Sequence, residues 1–267
     1  MAASPVLLDP VLLDIDARGI ATATLNRPQV GNAYNEDLLH ALIDGLDRLR
    51  ADAGVRALVI RGAGRHFQAG ADLTWLATAA EYGPERAFQA SMATTTAMQK
   101  LNEFPCPTFA LVQGACFGGG CGMVCCVDVA LATPRAAFGL TEVRVGVAPT
   151  PISTHMVHAM GLRHTRRYAL TGERFDAAEA LRIGLVHEVV AEDAIEARMA
   201  AILDEALLAA PGAVAATKDS FLGANGLKLE ARAMAQLAQE SWMQRATPEA
   251  REGLLAFREK RRPGWAG

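Results

Sequence analysis

Apolar and polar positions along this chain recur at two spacings, and their order predicts strands and helices. Residues 6–15 and 20–25 are apolar and partly alternating around Asp16-Ala17-Arg18-Gly19, which reads as a β-hairpin. Leu38, Leu39, Leu42, Ile43, Leu46 and Leu49 then recur at helical spacing behind Asn35, a good N-cap, while Glu36, Asp37, Asp44, Asp47 and Arg48 form the opposite face. A short buried strand is expected over 57–61. A helix over 81–103 follows, marked by Phe88, Met92, Met98 and Leu101 and stopped by Pro105 and Pro107. Apolar strands follow at 108–113 and 127–132. Past Pro151 the spacing becomes helical over 152–170, 176–183, 195–208, 213–222 and 227–244, with a tail from Pro248. Strands alternating with helices argue for an α/β arrangement in which helices cover a sheet. No break in composition marks a linker, so residues 1–200, an α/β core, and 201–267, a helical section, are read as parts of one unit.

Composition narrows the class without naming a function. The 267 residues carry a net charge of −3, are 51% hydrophobic and 21% charged, and are numerous enough to bury a large core. No basic excess speaks for nucleic acid. The longest apolar run, around 118–132, is broken by Asp128 and is too short to span a bilayer, so no membrane partner is expected. Five cysteines, mostly inside apolar segments, suit reduced thiols in a cytoplasm. They lack metal-ligand spacing. His155 and His158 share a helical spacing but have no matching carboxylate, so no metal site is expected.

Candidate chemistry sits where strands end in small residues. Gly118, Gly119 and Gly120 follow the strand at 108–113, and a helix beginning near Gly119 would present unpaired N–H groups. The strand at 57–61 likewise runs into Gly62-Ala63-Gly64 and on to Gln68-Ala69-Gly70-Ala71-Asp72-Leu73. Two such ends side by side would bring two backbone donors to one small volume, the geometry of an oxyanion hole, worth roughly 3 kcal/mol per donor. The glycines alone would equally serve close packing of a helix on a strand. A third stretch, Phe138-Gly139-Leu140-Thr141-Glu142, sets one carboxylate among apolar neighbours.

These segments, with Leu25-Asn26-Arg27-Pro28, Asn32-Ala33 and the closing run from Arg251 to Arg261, resemble the successive signatures of the enoyl-CoA hydratase/isomerase (crotonase) superfamily, in the family's order. The resemblance implies a crotonase-like spiral of ββα units whose C-terminal helices pack in homotrimers or pairs of trimers. It also implies an acyl-CoA thioester substrate with no separate cofactor. Ala71 and Gly119 match the backbone donors, Glu142 a catalytic glutamate, and Ala69, Leu73, Phe257 and Lys260 the CoA contacts. Trp75, Leu76 and Tyr82 are expected at the acyl pocket.

One departure bears on reaction type. Two-glutamate hydratases carry Cys-Glu after the glycines, whereas here Cys121 precedes Gly122. Taken alone, Gly122 favours double-bond isomerisation. Residues 140–153 and 166–171, however, resemble the methylglutaconyl-CoA and isohexenylglutaconyl-CoA hydratases, and this favours hydration. A non-catalytic acyl-CoA binder is the remaining reading.

Overall fold

The computed structural model describes residues 9–266. In chain order the elements are β1 (Val11–Ile15), β2 (Ile20–Leu25), α1 (Glu36–Ala51), β3 (Ala57–Gly62), α2 (Leu73–Ala79), α3 (Pro84–Asn102), β4 (Thr108–Val112), β5 (Ala115–Phe117), α4 (Gly119–Cys126), β6 (Val129–Ala132) and β7 (Ala137–Gly139). They continue with α5 (Ser153–Thr171), β8 (Arg174–Asp176), α6 (Ala177–Arg182), β9 (Glu188–Val189), α7 (Ile195–Leu208), α8 (Pro211–Ala224), α9 (Ala231–Arg245) and α10 (Pro248–Arg258).

Six strands form one sheet in the order β1-β2-β3-β4-β6-β9, antiparallel between β1 and β2 and parallel elsewhere. Parallel strands are covered on both faces, which is why β3 and β4 read as nearly continuous apolar runs. Alternate side chains go to opposite sides. Leu58 and Ile60 join the main core beneath α1, α3 and α4, while Ala57, Val59, Phe109 and Leu111 meet Ile195, Met199 and Leu203 of α7 on the other face. A smaller sheet, β5-β7-β8, is linked to the loop after β3 by a bridge between Gln68 and Cys116.

The hairpin, α1, β3 and β4 lie where the pattern puts them, α1 capped by Asn35, whose side chain accepts from the Leu38 N–H at 3.1 Å. Residues 6–8 of the expected first strand lie outside the described residues. The helix expected to begin near Gly119 is α4, which carries Cys125 and Cys126. Two expectations need correction. The helix over 152–170 is broken at Gly161, whose φ of 74° and ψ of 152° are not helical. The tail from Pro248 is helix α10, with Pro248 at its start and Thr247 accepting from the Ala250 N–H at 3.2 Å. A division at residue 200 runs through α7. Helices α9 and α10 fold back on the same chain, α9 against α3 and α10 against α2 and the turn Glu142–Val145. Among the described residues no single helix is long and apolar enough to cross a membrane.

Candidate active site

Two loops, one after β3 and one after β5, build the site. The first returns beside residues 31–34. The Tyr34 N–H donates to the Gly70 carbonyl at 3.0 Å, and the Asp72 N–H donates to the Tyr34 carbonyl at 2.8 Å, forming a parallel bridge between Tyr34 and Ala71. In such a bridge the bonds come from the residues flanking Ala71. The Ala71 N–H therefore points away from Tyr34 and meets no acceptor among the described residues. In the second loop Gly118 takes φ 51°, a left-handed conformation that suits glycine, and α4 starts at Gly119. A first-turn N–H has no partner within its helix, and the Gly119 amide finds none elsewhere among the described residues. Ala71 and Gly119 line the same cavity, of about 290 Å³.

The polar residues of the earlier signatures hold these loops. Asn32 is fully buried, and its amide donates to the carbonyls of Ala63 at 2.9 Å and His66 at 2.7 Å while its oxygen accepts from the Arg27 N–H at 2.9 Å. Arg27 pairs with Asp72 at 3.0 Å, and Asp72 caps α2 by accepting from the Thr74 N–H at 3.0 Å. Together they fix the backbone that presents Ala71.

Glu142 opens a short 3₁₀ turn over the cavity. Its Oε1 lies where only a residue lacking a side chain can sit beneath it: a Cβ on Gly118 would be 2.8 Å away. The Oε2 atom is buried with no hydrogen-bond partner. Burial pushes the carboxyl up from 4.5 to about 7, against a smaller opposing pull from its own backbone. The turn itself is held by close approach of α10, since a Cβ on Gly253 would meet the Val145 carbonyl at 2.4 Å. Glu142 is the one carboxylate lining the cavity among the described residues.

Position 122 offers no second acid. A Cβ on Gly122 would fall 2.4 Å from Cγ2 of Ile152, so the space a longer side chain would need is taken by an isoleucine that itself lines the cavity.

The remaining expected residues divide by position. Ala69, Leu73 and Phe257 line the cavity, and Phe257 is 59% exposed at its open end. Lys260 lies on the surface nearby, at φ 53°, and does not line it, whereas Arg261 does, held by Glu252 and Glu259. Leu76 is a wall, and Trp75 packs edge-on against Tyr34 with ring centroids 5.9 Å apart. Tyr82 is not at the pocket; it lies under Arg86, 3.9 Å from that guanidinium. His155 is buried and unpartnered and His158 is exposed, so the pair does not share a surface.

The sequence model of the enoyl-CoA hydratase/isomerase family matches residues 16–267. The chain belongs to that family. A chain of Escherichia coli (strain K12) named 2,3-dehydroadipyl-CoA hydratase is 31% identical over 247 residues, covering 91% of this chain and 94% of that one. The crystal structure of an enoyl-CoA hydratase from Mycobacterium avium is 34% identical with a TM-score of 0.84, covering 96% of this chain and 98% of that one. One from Shewanella pealeana is also 34% identical, with a TM-score of 0.79 and 97% of both chains covered. The α/β core with its helical C-terminal section is thus the crotonase fold.

Sequence reasoning missed Tyr34, Thr94, Ser241 and Arg245 on the cavity wall of this enoyl-CoA hydratase/isomerase family member. Tyr34 directly follows a signature pair, which was the available hint. The other three lie on α3 and α9, where nothing local separates them from ordinary helix residues.

Proposed function

We propose that the protein hydrates an α,β-unsaturated acyl-CoA thioester, using Ala71 and Gly119 as the oxyanion hole and Glu142 as the single acid and base. The observation that supports this reading is the convergence of two unpartnered backbone N–H groups on a cavity with one buried carboxylate. The thioester oxygen accepts from both amides, so negative charge that develops there falls on fixed dipoles. Ionised Glu142 takes a proton from a water, whose oxygen adds to the β-carbon. The resulting enolate then takes that proton back from Glu142 at the α-carbon. A pKa near 7 suits a group that must do both.

Ala69, Leu73 and Phe257 at the open end are read as CoA contacts, and Lys260 as a surface partner for its phosphates. Exposed Leu208 and Phe221 on α7 and α8 support packing of this section on further copies in a trimer or a pair of trimers. The free cysteines agree with a reducing, cytoplasmic setting.

The filled space at Gly122 supports a second reading, since moving a double bond from β,γ to α,β needs only one proton carrier. Offering crotonyl-CoA and 3-methylglutaconyl-CoA and following loss of enoyl absorbance tests hydration. The methylglutaconyl ester is included because residues 140–153 resemble enzymes of that name. Appearance of the same absorbance from a 3-enoyl-CoA, with no loss from the 2-enoyl esters, replaces hydration by isomerisation. Neither change leaves a binder.

A further inference from the structure

Arg245, at the end of α9, is 7% exposed and lines the cavity, yet the reaction above has no use for it. Its Nη2 donates to the Ser91 hydroxyl on α3, and no Asp or Glu among the described residues pairs with it. A buried cation ordinarily stands against a carboxylate, because a charge taken from water and left unpaired is heavily penalised. Burial here pulls the guanidinium below its ordinary value, and the phenol of Tyr34 is the one titratable neighbour that opposes this. Sharing the same wall are the hydroxyls of Thr94 and Ser241, 4% and 7% exposed. This end of the cavity thus collects donors around a positive charge and supplies no anion.

Its place relative to the reacting atoms follows from the neighbours. Glu142 stands over Gly118 and the Tyr34 ring edge over Gly119, while Arg245, held by Ser91 of α3, lines the same cavity on the α3–α9 side. The opposite end, at Phe257 and Arg261, opens to solvent, as the bulky nucleotide of CoA requires. A thioester entering there with its carbonyl at Ala71 and Gly119 directs the far end of its acyl chain toward Arg245.

We propose that Arg245, oriented by Ser91 and flanked by Thr94 and Ser241, binds a carboxylate at the distal end of the acyl group, so that the preferred substrate is the CoA monothioester of an unsaturated dicarboxylic acid. The proposal rests on the enoyl-CoA reading for the direction in which the ligand lies, and adds the residue that would select a carboxylated acyl chain over a neutral one. A guanidinium suits this role because its planar fork matches a carboxylate with two parallel hydrogen bonds.

The test is calorimetric binding of saturated, unreactive esters: glutaryl-CoA and adipyl-CoA against their methyl-ended counterparts pentanoyl-CoA and hexanoyl-CoA. The wild-type protein is expected to bind one of the carboxylated esters about 10²-fold more tightly than its neutral counterpart, Arg245→Met to lose that preference, and Arg245→Lys to keep part of it. Equal affinity of wild type for carboxylated and neutral esters overturns the proposal even if neither variant folds, as does a preference that survives in Arg245→Met. Because binding needs no turnover, the two readings fail separately. Protein that hydrates nothing but prefers the carboxylated ester keeps the arginine site and loses the hydratase. Protein that hydrates crotonyl-CoA without that preference does the reverse.

Discussion

Replacing Glu142 by Gln should cost activity and add stability, the second only at neutral and alkaline pH. The carboxyl ionises at about 7 in the folded protein, where it is held out of water, and at the ordinary 4.5 once unfolding exposes it. A raised carboxyl pKa means that the folded chain keeps a proton that the unfolded chain releases between these values. Stability from this group is therefore intact below pH 4.5 and falls as pH rises toward 7, after which the loss is constant. Each unit corresponds to about 1.4 kcal/mol, so the full penalty is about 3 kcal/mol. A neutral Gln escapes it. Urea unfolding of wild type and Glu142→Gln, at one protein concentration, should differ by under about 1 kcal/mol at pH 5 and by about 3 kcal/mol at pH 8, with the variant more stable. In the same variant, turnover of the enoyl ester should fall by about 10²–10⁴. Wild-type kcat/KM should rise with pH and level off above about 7, since the base must be ionised to accept a proton from water. A stability difference that does not change with pH refutes the assigned burial, and unchanged turnover refutes the role of Glu142.

Gly119→Ala should lose most activity, because the added Cβ would lie 2.4 Å from Cε1 of Tyr34; the double variant with Tyr34→Ala should recover part of it, as read by kcat/KM. Gly253→Ala should destabilise by about 1–3 kcal/mol and also slow turnover, since its new neighbour is the backbone of Val145 in the turn that carries Glu142, and backbone cannot swing aside. Gly122→Glu should not raise hydration in wild-type background, because Ile152 occupies the space; if it does so without a change at Ile152, the packing argument is wrong.

The local pattern was enough to specify β3, β4 and β6 of the parallel sheet, whose double-sided burial writes continuous apolar runs, and the capped, amphipathic α1. It also marked the glycine-bearing strand ends and the lone glutamate among apolar neighbours, because each depends on a few adjacent residues. The short strands β5, β8 and β9 and helix α10 were not legible as such. Two or three residues leave too little periodicity to read, and α10 gains its burial from the turn at Glu142 more than one hundred positions earlier. Arg245 illustrates the limit best: a cation in the last turn of a helix is ordinary by sequence, since it suits the helix dipole. Only the packing of α9 on α3 brings it to Ser91, 154 residues away, and turns it inward without an anion. Likewise the identity of position 122 was plain in the sequence, but the isoleucine that fills the space opposite it was a matter of tertiary structure, because contact between distant segments leaves no trace in the order of residues along either one.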